Sequence, residues 1–184
     1  IVKTFLIVVF VVFGFVLTGE YVVSIFSMVL FLFLTDFVTL SIATDNVRHS
    51  PKPDNWNIGG LAMVAEAMLL LYFGYFRFGL RDHINQLYTI VFAFLVFSAT
   101  FNILVVRERG HFWDSAPSTL LALSIAGDIL AVFLISGFGV HELAPVRLWA
   151  TLAILGYSAA CCLLLNDSVK VILVKRFWTR PQPV

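Results

Sequence analysis

Six apolar runs, each near the length a helix needs to cross a bilayer, follow one another along this chain with polar or Gly/Pro punctuation between them: roughly 1–17, 21–43, 58–77, 87–106, 119–137 and 146–174. A helix rises about 1.5 Å per residue, so about 20 residues cover roughly 30 Å of hydrocarbon. In lipid every backbone N–H and C=O must find a partner within the protein, which leaves helices or closed barrels. A barrel would be written in short alternating segments rather than continuous apolar runs. The expected fold is therefore all-α, a polytopic membrane helical bundle with six transmembrane helices in one domain, 1–184. At 60% hydrophobic and 12% charged, with mean hydropathy +0.97, the composition excludes an ordinary soluble domain.

Charge sets the expected orientation. Lys3, Arg48, Lys52, Arg107, Arg109, Lys170, Lys175, Arg176 and Arg180 fall on one side of the alternation, and Arg77, Arg81 and Arg147 on the other, nine against three. Both termini, the loop 45–57 and the loop 107–118 should then be cytosolic. The link Thr18-Gly19-Glu20 is short enough for a tight hairpin, and the long last run should tilt or continue past the membrane. A net charge of +1 with no basic face implies no nucleic-acid partner. Cys161 and Cys162 are adjacent within an apolar run and point about 100° apart, so they read as small packing residues rather than a disulfide or metal pair. His49, His83, His111 and His141 lie in loops without metal-ligand spacing, so no metal site and no catalytic residue is expected. The chain opens directly on an apolar run, Ile-Val-Lys, which reads as a piece of something longer.

Three acids sit deep in these runs. Asp36 lies 16 residues after Glu20 and 9 before Asp45, Glu66 lies between Trp56 and Arg77, and Asp128 lies between Pro117 and His141. An acid at that depth costs roughly 2.5–3.5 kcal/mol on insertion scales, so its default reading is functional. Structural acids, protonated or bonded between helices, are the competing reading for Glu66 and Asp128. Helical spacing places Thr39 and Ala43 on the Asp36 face, expected to turn into the bundle near the first helix. The same spacing makes a polar row of Ser124, Gly127, Asp128 and Ala131, and a small-residue row of Ala153, Gly156 and Ala160. Such rows are expected to face neighbouring helices. Ser98 and Asn102 are one turn apart, with Asn102 expected in an interhelical hydrogen bond.

Two segments carry a family resemblance. Leu34-Thr35-Asp36-Phe37 with the following Ser50-Pro51-Lys52-Pro53-Asp54-Asn55-Trp56 resembles the sixth membrane helix and succeeding loop of plasma-membrane proton pumps of the P-type ATPase superfamily. Arg107-Glu108-Arg109-Gly110-His111-Phe112-Trp113 is similar to the basic-aromatic loop between that family's eighth and ninth helices, and Asn166-Asp167-Ser168-Val169-Lys170 to the close of its tenth. The resemblance implies that the chain corresponds to helices five to ten. It also implies that Asp36 is the group that receives and releases the transported proton. Thr35 and Phe37 depart from the family's Asn and Gly at the flanking positions, and Ile7 stands where an Arg is placed on the fifth helix. The family's Asp-Lys-Thr-Gly-Thr phosphorylation motif is absent from this chain.

The expected function is thus the transport half of an ATP-driven proton pump of the plasma membrane, in which a carboxyl exchanges its proton as its surroundings change. One charge moved against 100 mV requires about 2.3 kcal/mol, which a swing of about two pKa units matches. The expected ion-binding residues are Asp36, Thr35, Thr39, Glu66 and Asp128. ATP and Mg²⁺ are expected only in cytosolic domains outside this chain, and the expected partners are the bilayer, the preceding helices and those domains. Two other readings stay open: a pump for another cation such as Mg²⁺, and an accessory six-helix subunit that does not pump.

Overall fold

The computed structural model describes residues 2–42, 58–77, 79–108 and 111–178. The loop 45–57 with its Ser-Pro-Lys-Pro-Asp segment, Ala43, Arg109 and Arg180 lie outside the described residues. The described chain is helical: α1 (Val2–Thr18), α2 (Ile25–Ser41), α3 (Ile58–Tyr72), α4 (Ile84–Val106), α5 (Thr119–Phe138), α6 (Leu148–Ala159) and α7 (Asp167–Trp178). A π-helical turn, Phe73–Arg77, closes α3, and a π-helical segment, Ala160–Asn166, joins α6 to α7. Among the described residues, three helices are long and apolar enough to cross a membrane, Ile84–Val106, Thr119–Phe138 and Leu148–Ile172. Ile7–Thr18 and Ile25–Ser41 are shorter apolar helices.

Local chemistry explains the boundaries. Ser24 caps α2 by accepting from Ser27 N at 3.1 Å, so the helix begins four residues later than the apolar run. Ser118 caps α5 in the same way, accepting from Leu121 N at 3.3 Å. Gly139 ends α5 with φ 72° and ψ 147°, a backbone conformation open to glycine and strained for other residues.

The bundle is built around α4. Its residues from Leu87 to Val105 are almost all buried, because α2, α3, α5, α6 and the Ala160–Asn166 segment all pack on it. Its buried residues are mostly apolar and come from every side of the helix, as a helix enclosed by others requires. The surrounding helices bury one stripe and expose the rest. On α5 the stripe is Leu121, Asp128, Val132 and Ser136; on α6 it is Thr151, Ile154 and Ser158. Their outer faces carry Leu123, Leu130, Leu134, Trp149 and Leu152. An apolar exterior on apolar helices is a lipid-facing surface, and the chain is an integral membrane protein.

Two sequence expectations about these faces are corrected. Ala153, Gly156 and Ala160 all face outward, and a Cβ on Gly156 would meet nothing within 4 Å. Of the α5 row, Asp128 turns inward while Gly127 is open and Ser124 returns its hydroxyl to Leu120 O at 2.9 Å.

The links gather at two ends. At one, Tyr75 donates to Thr18 O at 3.2 Å, Phe26 stacks on His141, and Thr89 donates to Ala144 O at 2.7 Å. At the other lie the end of α4, the 111–118 link and the start of α7.

Candidate functional site

α2 presents its inner face through Ser27, Phe31, Thr35, Val38 and Ser41. Thr35 is fully buried and donates its hydroxyl to Phe31 O at 2.9 Å. Thr39 donates to Thr35 O at 2.7 Å. Both hydroxyl protons are therefore committed to the helix's own carbonyls, the usual fate of Thr within a helix.

Asp36 is one residue, about 100°, further round. That rotation carries it onto the outer face of α2, where Phe33, Phe37, Thr39 and Leu40 are exposed with it. The expectation that Asp36 turns inward beside the first helix is corrected: the inner stripe is set one residue earlier, and α1 packs chiefly along α3. Asp36 and Thr39 do share one side, as expected.

Asp128 is 4% exposed and accepts from Thr100 Oγ1 at 3.2 Å, tying α5 to α4. Glu66 is half-buried on α3. Its backbone carbonyl accepts from Tyr157 Oη at 3.1 Å, and its Oε2 is buried without a partner. The three acids thus meet different neighbours, and among the described residues no three His, Cys, Asp or Glu side chains group as a metal site. Asn102 Oδ1 is also buried without a partner.

A cluster that sequence reasoning missed lies at the end of the bundle where α4 stops. Asp167, 1% exposed, accepts from Lys170 Nζ at 2.7 Å, from Phe112 N at 3.2 Å and from His111 Nδ1 at 2.8 Å. Lys170 Nζ donates further to Val105 O at 2.8 Å and Glu108 O at 3.1 Å. Arg107 donates to Ser115 O, and Ser115 to Glu108 Oε2 at 2.7 Å. Trp113 stacks on His111 with ring centroids 4.4 Å apart. Arg107, Glu108, His111, Phe112 and Ser115, far in sequence from Asp167 and Lys170, form one bonded unit with them. Only the Asp167–Lys170 spacing of one helical turn hinted at it.

No family model matches the chain. A Methanocaldococcus jannaschii protein named for cation-transporting ATPase activity is 28% identical over 166 residues, covering 86% of this chain and 20% of that protein. Plasma membrane ATPase 1 of Schizosaccharomyces pombe is 35% identical over 141 residues, covering 62% of this chain and 14% of its own length. Plasma membrane ATPase 1 of Saccharomyces cerevisiae is 28% identical over 130 residues, with the same coverage. The chain spans a fifth or less of the length of these relatives. The homologues of this chain are P-type cation-transporting ATPases, fungal plasma membrane ATPases among them, and the stretch it shares with them is their C-terminal membrane part.

Proposed function

We propose that the chain is the transport half of a P-type pump that exports protons across the plasma membrane, with Asp36 as the carboxyl that takes up and gives up the proton. The observation that carries this reading is the coincidence of two things: similarity to plasma membrane ATPases over 62% of the chain, and a lone carboxyl set among apolar residues of α2. Six crossings with both termini cytosolic accompany the reading. The gathering of links at alternate ends and the nine-to-three charge bias support it.

In this reading the outer face of α2, carrying Asp36 and Thr39, is turned toward the preceding membrane helices of the whole pump. The relatives have ample length for them, since the chain covers 20% or less of each. An acid facing lipid would cost roughly 2.5–3.5 kcal/mol, and packing against polar groups or water on further helices removes that cost. Thr39 lies one turn along on the same face and donates its hydroxyl to Thr35 O. ATP and Mg²⁺ act in the cytosolic domains, whose conformational changes alter the surroundings of Asp36.

The experiment is Asp36→Asn in the complete pump, assayed by acidification of pump-containing vesicles with folding checked by size exclusion. Asn is nearly isosteric and cannot exchange a proton, so a folded, non-pumping protein is expected. Undiminished pumping would place the carrier elsewhere. Dependence of ATPase activity on Mg²⁺ as transported ion, or absence of any ATPase chain associated with this one, would favour the alternative pump or the accessory subunit.

A further inference from the structure

The contacts between α4 and the last helical stretch form a ladder. Cys162 Sγ donates to Ser98 O at 3.6 Å, and two turns on Lys170 Nζ donates to Val105 O at 2.8 Å. Ser98, Asn102 and Val105 succeed one another at one-turn spacing on α4, as do Cys162, Asn166 and Lys170 on the facing stretch. Asn102 and Asn166 are therefore bracketed between the same two rungs. Thr100, on the other side of α4, serves Asp128. From α3, the Glu66 carboxyl stands beside the Asn166 carboxamide.

In this layer three polar atoms are buried without a partner: Glu66 Oε2, Asn102 Oδ1 and Asn166 Nδ2. Two are acceptors and one is a donor. One water accepting from Asn166 and donating to Glu66 and Asn102 would make the number of bonds typical of a buried water. Leaving them unmet would cost about 1–3 kcal/mol each. The backbone at this point is the π-helical segment Ala160–Asn166, a feature frequent at functional sites.

We propose that Glu66, Asn102 and Asn166 form a hydrated proton-binding site, separate from Asp36. The proposal extends the proton-pump reading but does not depend on Asp36 being the carrier. The Glu66 carboxylate takes a proton from hydronium, leaving water, and returns it to water on release. Asn166 serves both states, because its carboxamide can present Nδ2 to the carboxylate or Oδ1 to the carboxylic acid. Among the described residues, the ionisable side chains around Glu66 are Tyr157, Cys161 and Cys162, hydroxyl and thiol groups rather than fixed positive charges. A sodium-sized ion would ask for a fuller set of oxygen ligands.

The test is infrared difference spectroscopy of the chain reconstituted in lipid, between mildly acidic and mildly alkaline buffer. A protonated-carboxyl C=O stretch is expected on acidification. It should shift in D₂O, disappear in Glu66→Gln, and change frequency in Asn102→Ala and in Asn166→Ala. It should persist in Asp36→Asn, which distinguishes this site from the proposed carrier. A difference spectrum identical in wild type and Glu66→Gln overturns the proposal. So does a Glu66 band indifferent to both Asn variants. Suppression of the band by sodium at constant pH would reassign the site to a metal cation and also overturn it. Should Glu66→Gln not fold, carbon-13 labelling of glutamate carboxyls in the wild type gives the same decision: the band must move with the label.

Discussion

His111 Nδ1 lies 2.8 Å from Asp167 Oδ2, across 56 residues of sequence. A carboxylate can only accept, so the imidazole donates. With Phe112 N and Lys170 Nζ as the other donors, Asp167 closes the end of α4 against the start of α7. It lies next in sequence to Asn166, whose carboxamide stands beside Glu66.

Breaking the clamp should be costly. Asp167→Ala leaves Lys170 and Phe112 N without their carboxylate, and removal of one partner of a buried ion pair costs about 3–5 kcal/mol. A clear fall in the thermal unfolding midpoint in detergent is expected, larger than for His111→Ala. An unchanged midpoint would contradict the assignment of Asp167 as the hub.

Gly139→Ala should destabilise the α5–α6 hairpin. The residue has φ 72°, and a Cβ there would stand 3.0 Å from Leu143 O and 2.9 Å from Pro145 Cδ. Strain of this kind costs on the order of 1–3 kcal/mol. Gly127→Ala and Gly156→Ala are the controls, because a Cβ at either meets nothing within 4 Å. Unfolding midpoints that fall equally for all three would show that glycine content, not this turn, is what matters.

Thr100 and Asp128 should be energetically coupled. Interhelical hydrogen bonds in membranes average about 0.6 kcal/mol in double-mutant cycles, reaching about 1.7. The cycle Thr100→Val, Asp128→Ala should give a coupling in that range, read from unfolding in mixed micelles. Asp128→Asn should cost less than Asp128→Ala, since its Oδ1 still accepts from the Thr hydroxyl.

Orientation can be read by cysteine labelling. Cys161 and Cys162 are buried, so they should react slowly and leave a low background. Probes introduced at Arg81 or Glu142 should be modified from outside the cell, and probes at Lys52 or Arg109 only after permeabilisation. The reverse pattern would invert the proposed topology.

Much of the chain's architecture is written in its sequence. The six apolar runs announce helices because lipid offers the backbone no hydrogen-bond partners, so each run must satisfy its own. The ends were legible where a cap or a glycine marks them, and less so at α2, where Ser24 moves the start inward. Asp36, Glu66 and Asp128 were legible as exceptional because charge at that depth is costly. The resemblance in segments 34–37, 107–113 and 166–170 pointed to the family whose members proved similar. What the sequence could not determine was rotation. In a soluble helix the polar face tells which side is out, but in lipid both faces are apolar and periodicity is nearly silent. Only tertiary packing around α4 turned Ala153, Gly156 and Ala160 outward, carried Asp36 to the open face while burying Thr35, and brought Asn166 beside Glu66. His111 and Asp167 likewise became partners only when α4 and α7 were laid side by side.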